Sequence, residues 1–508
     1  MTGRYWLETL GCPKNQVDSD KLEGTLLAGG YVRAADPAAA DLVVVNTCAF
    51  VEAAREESVE VILDMAARRQ AGSRVVVTGC LAERYGEELR SALPEVDLVA
   101  GFGMPLIPPV DSAGSLGNGT AQSIGRAPAV PTPVELRRPP AFDLLNMPRP
   151  RPAAPWAYLK VAEGCDRHCG FCAIPSFRGL QRSRSKDAIM EEVDALGEQV
   201  REIVLVAQDL ASWGLDRSEP DPDRPRGRLA TAGGPSQPGG VSRGVLGGVL
   251  GGVPNGVPNG VPGGVPEAVH LASRPTRSSG RERPLVGLLR TLCERIERVR
   301  LLYLYPSSLD DDLIDAIIAS GVPYFDLSLQ HVSRPLLARM RRFGEGRLFL
   351  DRIARIRDAE PEATFRSSFI LGYPGETEED HDLLLDFIEK AELDWAGFFP
   401  FSEEPGTYAA ELGEKVHADV AMERLRECAE LQDAITARKR DALVGQTIRV
   451  LVDAPGVARS HREAPEIDGV VSIPPEIAAG EMIDVVVTGA MGPDLEAQPA
   501  GSGRAYGQ

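Results

Sequence analysis

Three cysteines lie within eight residues of the chain, with the spacing Cys165-x3-Cys169-x2-Cys172, and the aromatic Phe171 precedes the last of them. We call these three residues the loop cysteines. Thiolates this close together can converge on one soft metal centre, and three of them leave a coordination position open. Because structural zinc is normally held by four protein ligands, the incomplete set indicates chemistry. His168 is the alternative fourth ligand that would instead make a zinc site.

Three further cysteines, Cys12, Cys48 and Cys80, each follow the end of a predicted strand, and we call them the strand-end cysteines. Strands alternate with helices over residues 1–103, which predicts a doubly wound α/β domain. Ligands of such sheets bind beyond the carboxyl ends of the strands. We therefore predict a second three-thiolate site, the alternative being three thiols packed as small buried hydrophobes.

The elements that must position the loop cysteines lie in residues 155–442. Six strand–helix units there predict a parallel partial (β/α)6 barrel, whose site lies at the carboxyl ends of its strands. The strand-like segment 157–161 precedes the cysteine loop and places it at that end. Cys293 and Cys428 stand alone on helical patterns, so we predict packed thiols. His331 follows the fourth strand and is either a proton carrier or a structural polar residue.

The remaining segments are two linkers and a small terminal domain. Residues 104–154 are rich in Pro, Ala and Gly and predict a solvated interdomain linker. Residues 217–281 predict a disordered insert, because 23 of the 50 residues in 217–266 are Gly or Pro and cannot build a core. Short strands separated by Gly/Pro turns in residues 443–508 predict a small antiparallel β-barrel.

Composition limits the classes of partner. The net charge is −19, and residues 443–508 carry four Arg against nine Asp and Glu, a net of −5. Because nucleic-acid binding depends on cationic contacts to phosphate, a basic protein is the more expected partner. The sequence lacks a run of 18 apolar residues, and its eight cysteines are too sparse for a disulfide scaffold. We expect a cytoplasmic protein without a membrane span.

The cysteine loop, with its aromatic residue and its preceding strand, resembles the radical S-adenosylmethionine (SAM) enzymes. In that family three thiolates hold a 4Fe–4S cluster whose fourth iron binds the amino and carboxylate groups of SAM. The resemblance implies that the loop cysteines are the catalytic metal ligands. It also implies further SAM contacts, which are Phe171 beside the cluster, Gln208 and Asp209 at the amino group, and Gly372 and Pro374 at the adenine.

The first domain resembles the amino-terminal domain of the methylthiotransferases, where an auxiliary 4Fe–4S cluster carries the sulfur. This resemblance assigns that cluster to the strand-end cysteines. The segment Leu10-Gly11-Cys12-Pro13-Lys14-Asn15-Gln16-Val17-Asp18-Ser19 resembles the branch that modifies small-subunit ribosomal protein twelve. The transfer-RNA branch typically has Gln and Met in place of Pro13 and Lys14. The carboxyl-terminal segment resembles a TRAM domain.

The resemblance implies insertion of a methylthio group at the β-carbon of an aspartate of that ribosomal protein. A SAM-derived radical would remove hydrogen from this carbon, and a reductant such as flavodoxin or ferredoxin would supply the electron. Two alternatives stay open: a methylthiotransferase acting on transfer RNA, and a non-enzymatic iron–sulfur or zinc scaffold.

Overall fold

The computed structural model of the chain describes residues 3–107, 140, 142–217 and 282–501. A doubly wound domain, a parallel partial barrel and a small closed barrel follow one another and pack together. The predicted insert therefore lies outside the described residues apart from Arg217, as do residues 108–139 and 141 of the predicted linker. The described part of the chain has no helix with the length and hydrophobicity of a membrane span.

The amino-terminal domain is a five-stranded parallel sheet with the strand order β2-β1-β3-β4-β5. Its strands are β1 (Arg4–Thr9), β2 (Val32–Arg33), β3 (Leu42–Thr47), β4 (Arg74–Gly79) and β5 (Leu98–Val99). Its helices are α1 (Pro13–Ala28), α2 (Glu52–Arg68) and α3 (Cys80–Ala92). Every residue of β3 is buried, as the continuous apolar run predicts for a central parallel strand.

The central domain has six parallel strands in two three-stranded sheets, joined by a parallel bridge between Leu304 and Leu327. One sheet contains β6 (Trp156–Lys160), β9 (Glu202–Val206) and β10 (Arg298–Leu301), and the other β11 (Tyr324–Gln330), β12 (Thr364–Leu371) and β13 (Trp395–Pro400). The strands β7 (Ala162–Glu163) and β8 (Arg182–Ser183) form a separate antiparallel pair. The predicted partial barrel is confirmed.

The helices of this domain pack mainly against the barrel, apart from the shortest, which packs against α3 of the amino-terminal domain. They are α4 (Ile174–Arg178), α5 (Lys186–Leu196), α6 (Pro284–Cys293), α7 (Asp311–Ile318), α8 (Arg334–Arg339), α9 (Gly346–Ala359), α10 (Glu378–Ala391) and α11 (Ala418–Asp441). Leu, Ile, Val and Phe side chains from the strands and helices form one continuous core. Cys293 packs partly against this core and Cys428 is fully buried in it, which confirms the prediction of packed thiols.

The carboxyl-terminal domain is a closed five-stranded barrel, as predicted, although one of its five strand pairings is parallel and only the other four are antiparallel. Its strands are β14 (Thr447–Ala454), β15 (Val457–Arg459), β16 (Val471–Ser472), β17 (Met482–Met491) and β18 (Asp494–Pro499), in the order β14-β15-β16-β18-β17. It is attached to the central domain by hydrogen bonds from buried aromatic residues. The Tyr158 hydroxyl donates to the Pro465 carbonyl at 2.7 Å, and the Trp395 indole donates to the Arg462 carbonyl at 2.7 Å.

Residues 142–154 of the predicted linker are only partly solvated. Leu145 is buried, and the Arg149 side chain, only 3% exposed, pairs with Asp20 at 2.8 Å and with Glu192 at 3.3 Å. The prediction of a solvated segment is therefore wrong for Leu145 and Arg149, whereas Asn146, Pro148, Arg151 and Ala153 are exposed. Composition records the absence of a core pattern but not the carboxylates that two domains offer to an arginine.

A buried group of charges joins the central and terminal domains. Glu202 opens β9 and is fully buried, and its carboxylate accepts from Arg300 at 2.7 Å and from Arg459 at 3.2 Å. Burial alone would raise the pKa of Glu202, but the guanidinium charges of Arg300, Arg459 and Arg298 bring it down to about 2. The carboxylate is therefore ionised in the folded protein and compensates two buried cations.

We predict that Glu202→Gln lowers the free energy of unfolding by about 3–5 kcal/mol, because it removes the anion that Arg300 and Arg459 share and leaves Asp453 as a partner for Arg459 alone. The pKa is lower in the folded state than the unfolded value of about 4.3. The contribution is therefore complete above about pH 4.3 and is lost as the pH falls towards 2. Chemical unfolding monitored by circular dichroism measures both effects. The exposed Glu496→Gln is the matched control, and equal midpoints for the two variants would contradict the prediction.

Candidate functional site

The strand-end cysteines follow three strands that are adjacent in the sheet. Cys48 directly follows β3, Cys80 directly follows β4, and Cys12 lies three residues beyond β1. Burial, and after it the neighbouring Cys12 and Cys80, raises the pKa of the Cys48 thiol to about 11, and Gly11, which precedes Cys12, packs directly against the Cys48 side chain. The structure thus brings these cysteines together at the edge where the sequence predicted a site.

Glycine at position 79 permits this approach. Gly79 has a φ of 91°, and a Cβ there would lie 2.6 Å from the backbone of Thr47. No real Cβ contact is that short, so a side chain would push β4 away from β3 and separate Cys80 from Cys48. The Gly-Cys pair is therefore a local requirement of the site.

Arg178 is the residue in this site that the sequence analysis missed. It ends α4 in the central domain, and its guanidinium donates to the Cys80 sulfur at 3.0 Å. The same group pairs with Asp18 at 3.2 Å and with Glu163 at 2.9 Å. The sequence did contain one signal, the charged Lys160 within an otherwise apolar strand. A buried lysine requires a carboxylate nearby, and Lys160 pairs with Asp18 at 2.7 Å.

The loop cysteines lie on the segment that the β7–β8 pair closes, beyond the carboxyl end of β6. Burial raises the pKa of Cys165 to about 12 and of Cys172 to about 11, with Cys169 adding to both. The Arg167 backbone N–H donates to the Cys165 sulfur at 3.4 Å. The His168 side chain is exposed, unlike the buried Cys165, which weakens its case as a fourth ligand.

Arg342 is a second residue that the sequence did not reveal. Its guanidinium donates to the Cys169 sulfur at 3.3 Å and also donates to the Ser328 carbonyl at the end of β11. It lies 173 positions from Cys169 in the chain, so no local pattern links the two. Together Arg342 and Arg178 provide one N–H···S contact from a cation to each cysteine set.

The two cysteine sets fit iron–sulfur clusters in their donor type. Thiolates are the ligands of such clusters, and N–H donors to the sulfurs are a usual part of their surroundings. Among the described residues, no three His, Cys, Asp or Glu side chains are spaced to hold one metal ion. In a 4Fe–4S cluster the three thiolates bind three different irons, so they lie further apart than three ligands of one metal ion.

Gln208 and Asp209, at the end of β9, fit a ligand that donates hydrogen bonds. The Gln208 amide donates to Glu163 at 2.8 Å, and Asp209 Oδ2 accepts from Arg167 at 2.7 Å. The remaining oxygens, Gln208 Oε1 and Asp209 Oδ1, are buried and have no hydrogen-bond partner within the described residues. Because buried acceptors are nearly always satisfied, these two oxygens suit the amino group of SAM.

The other predicted SAM contacts have packing roles in the structure. Gly372 follows β12, and a Cβ there would lie 2.5 Å from the Cβ of Ala421 on α11. The Pro374 carbonyl accepts from Arg339 at 3.3 Å, and Phe171 packs partly against the main core. Contact of these residues with SAM stays a prediction.

His331 is a buried residue whose Nε2 has no hydrogen-bond partner among the described residues, so its role stays a prediction. It is fully buried, its Nδ1 accepts from the Ser333 backbone N–H at 3.1 Å, and burial lowers its pKa to about 4. The imidazole is therefore neutral near pH 7 and is enclosed by protein.

Two tyrosines that follow β10 connect the surroundings of the two cysteine sets. The Tyr305 ring lies 3.9 Å from the guanidinium carbon of Arg167 and 4.2 Å from that of Arg342, on the side of the loop cysteines. The Tyr303 ring lies 3.3 Å from Lys14 Nζ, on the side of Cys12. The rings of Tyr303 and Tyr305 thus line the mouth of the barrel, and each ring packs against one or two cationic side chains.

We predict that Arg342→Gln lowers the reduction potential of the iron–sulfur cluster on the loop cysteines. Removing a cation and an N–H···S contact destabilises the more negative, reduced state. A redox titration followed by electron paramagnetic resonance measures the potential, with the exposed Arg347→Gln on α9 as control. A potential equal to that of the control would refute the assigned contact.

Comparison with protein-family models divides the chain as the structure does. Residues 4–101 match the uncharacterised protein family UPF0004, residues 267–388 match the radical SAM superfamily, and residues 444–499 match the TRAM domain. The radical SAM match begins beyond the cysteine loop, so it supports the barrel and not the individual ligands.

Several curated relatives match over nearly their whole length. The chain is 35% identical to the ribosomal protein uS12 methylthiotransferase RimO of Cutibacterium acnes, with 97% of each chain covered. It is 36% identical to the RimO of Moorella thermoacetica, covering 94% of this chain and 95% of the relative. The RimO of Streptomyces coelicolor is also 36% identical, over 97% of this chain and 96% of the relative. The chain therefore belongs to the family of the ribosomal protein uS12 methylthiotransferases.

Proposed function

We propose that this radical SAM methylthiotransferase attaches a methylthio group to the β-carbon of an aspartate in ribosomal protein uS12. The observation that carries the proposal is the position of two three-thiol sets on either side of one barrel mouth, at Cys12 and at Cys169, with Tyr303 and Tyr305 between them. A reaction that activates a carbon and then delivers sulfur to it needs two such sites within reach of one substrate.

In this proposal the loop cysteines and the strand-end cysteines each hold a 4Fe–4S cluster. When bound, the first cluster supplies the electron for reductive cleavage of SAM, and the second carries the sulfur. Gln208 and Asp209 accept hydrogen bonds from the amino group of SAM through their free oxygens. Arg167 holds Asp209 in place through the 2.7 Å ion pair.

The charge of the terminal barrel supports a basic protein substrate. Arg459 is buried, and Arg462 pairs with Glu362 at 3.0 Å, so these cations face the central domain. Acidic side chains are exposed and form no ion pair among the described residues; they are Glu476, Glu481, Asp484 and Glu496. A negatively charged surface attracts a basic ribosomal protein and repels the phosphate groups of RNA.

The proposal includes a reductant and a compartment. Radical formation consumes an electron, for which a low-potential donor such as flavodoxin or ferredoxin is suited. Iron–sulfur clusters with an open iron need a reducing environment, and ribosomal proteins are in the cytoplasm with the ribosome. We therefore assign the protein to the cytoplasm.

We predict that the full chain, reconstituted anaerobically with iron and sulfide, binds about eight irons. Changing all three strand-end cysteines to alanine should leave about four and abolish methylthiolation. The control is the double variant Cys293→Ala and Cys428→Ala, whose packed thiols hold no iron in this proposal. A content of about four irons in the unaltered chain would contradict the assignment of a second cluster. Iron without any cleavage of SAM would favour the scaffold alternative.

We predict that uS12 loses its methylthio mass in a strain that lacks this chain and regains it on complementation. Mass spectrometry of the small-subunit proteins measures the change, and digested transfer RNA from the same strain provides the control. If uS12 keeps the methylthio group while a transfer-RNA nucleoside loses one, the substrate assignment is wrong.

A further inference from the structure

Lys14 extends from the amino-terminal domain over the mouth of the barrel. It lies in the first turn of α1, two residues after Cys12, and its ammonium nitrogen is 3.3 Å from the centre of the Tyr303 ring. Tyr303 follows the carboxyl end of β10, where substrates of parallel barrels bind. A cation from one domain is thus held against an aromatic face of the other.

This cation has no carboxylate partner within the described residues. The acids around it are already paired: Asp326 with Arg366 at 3.3 Å, and Asp18 with Lys160 at 2.7 Å. The Lys14 side chain is only partly exposed, and an ammonium group that is drawn partly out of water without a carboxylate beside it costs free energy. The contact with the Tyr303 ring offsets only part of that free energy, since cation–π contacts contribute about 0.5–2 kcal/mol.

The backbone of Tyr303 indicates that its position is enforced. It has a φ of 65°, a conformation that bulky side chains rarely adopt, and its N–H donates to Asp326 at 2.9 Å. Strained residues of this kind concentrate at functional sites, where the surrounding structure holds them. Here the Tyr303 ring lies beneath Lys14, while Tyr305, two residues further on, lies beneath Arg167 and Arg342.

The location matches what the reacting carbon requires. The carbon must be reached from the loop cysteines and from the strand-end cysteines, and Lys14 lies at the tyrosine segment between them. In aspartate the β-carbon is bonded directly to the carboxylate carbon. A cation that holds the carboxylate therefore also holds the β-carbon, to within one bond.

We propose that the Lys14 ammonium binds the side-chain carboxylate of the target aspartate, and that the Tyr303 ring holds the ammonium in place for it. This rests on the proposed function, which it extends by assigning the contact that selects aspartate. An asparagine at the target position offers no charge to Lys14, so the site distinguishes the two residues by the ion pair alone.

The test compares binding of uS12 with that of uS12 carrying asparagine at the target position. The iron-loaded full chain is the binder, and isothermal titration calorimetry gives the dissociation constants. We expect the unaltered chain to prefer aspartate by about tenfold to a hundredfold, as charged hydrogen bonds contribute. In Lys14→Met the ratio of the two dissociation constants falls to about one. Lys14→Arg retains most of the preference for aspartate, and the exposed Lys186→Met retains all of it.

Each outcome decides the inference. Lys14→Met that keeps the preference overturns it, and so does Lys14→Met that weakens both complexes equally, because that result indicates a structural role. If Lys14→Met takes up less iron than the unaltered chain, Tyr303→Leu provides the same comparison, with Tyr303→Phe as its control. An unaltered chain that neither binds nor modifies uS12 overturns the proposed function itself, and the inference with it.

Discussion

The site depends on one buried group of charges where the amino-terminal domain meets the barrel. Arg178 contacts Asp18, Glu163 and the Cys80 sulfur at the same time, and Lys160 pairs with Asp18 from the barrel strand β6. Two cations and two carboxylates, all withdrawn from water, are stable only when all of them are present. The domains therefore have a defined relative position, and the two cysteine sets have a defined separation.

The same group connects the two halves of the chemistry. Arg178 touches a strand-end cysteine on one side and Glu163 on the other, and Glu163 accepts from Gln208 at 2.8 Å. A continuous series of polar contacts thus runs from Cys80 to the residues proposed to hold SAM. Buried polar networks of this kind are rigid when every member is satisfied, and here the Gln208 oxygen is left open for the proposed contact with SAM.

Much of the fold and of the candidate site could be predicted because the relevant signals are local. The apolar run of β3 indicated a buried parallel strand, the spacing of Cys165, Cys169 and Cys172 indicated a metal centre, and the strand ends placed Cys12, Cys48 and Cys80 at a ligand edge. Composition was less informative where packing decided the outcome. Arg149 looked like part of a solvated linker, yet it is buried against carboxylates from two domains.

By itself, the sequence determined the three domains, the six cysteines and the sign of the surface charge, because each follows from residue type and short-range spacing. Only the tertiary structure decided which cations meet the cysteines and that Lys14 has no carboxylate partner among the described residues. Arg178 lies 98 positions from Cys80, and Arg342 lies 173 from Cys169. The physical reason is that a charge acts through distance in space and burial, and neither of these is encoded by the neighbouring residues along the chain.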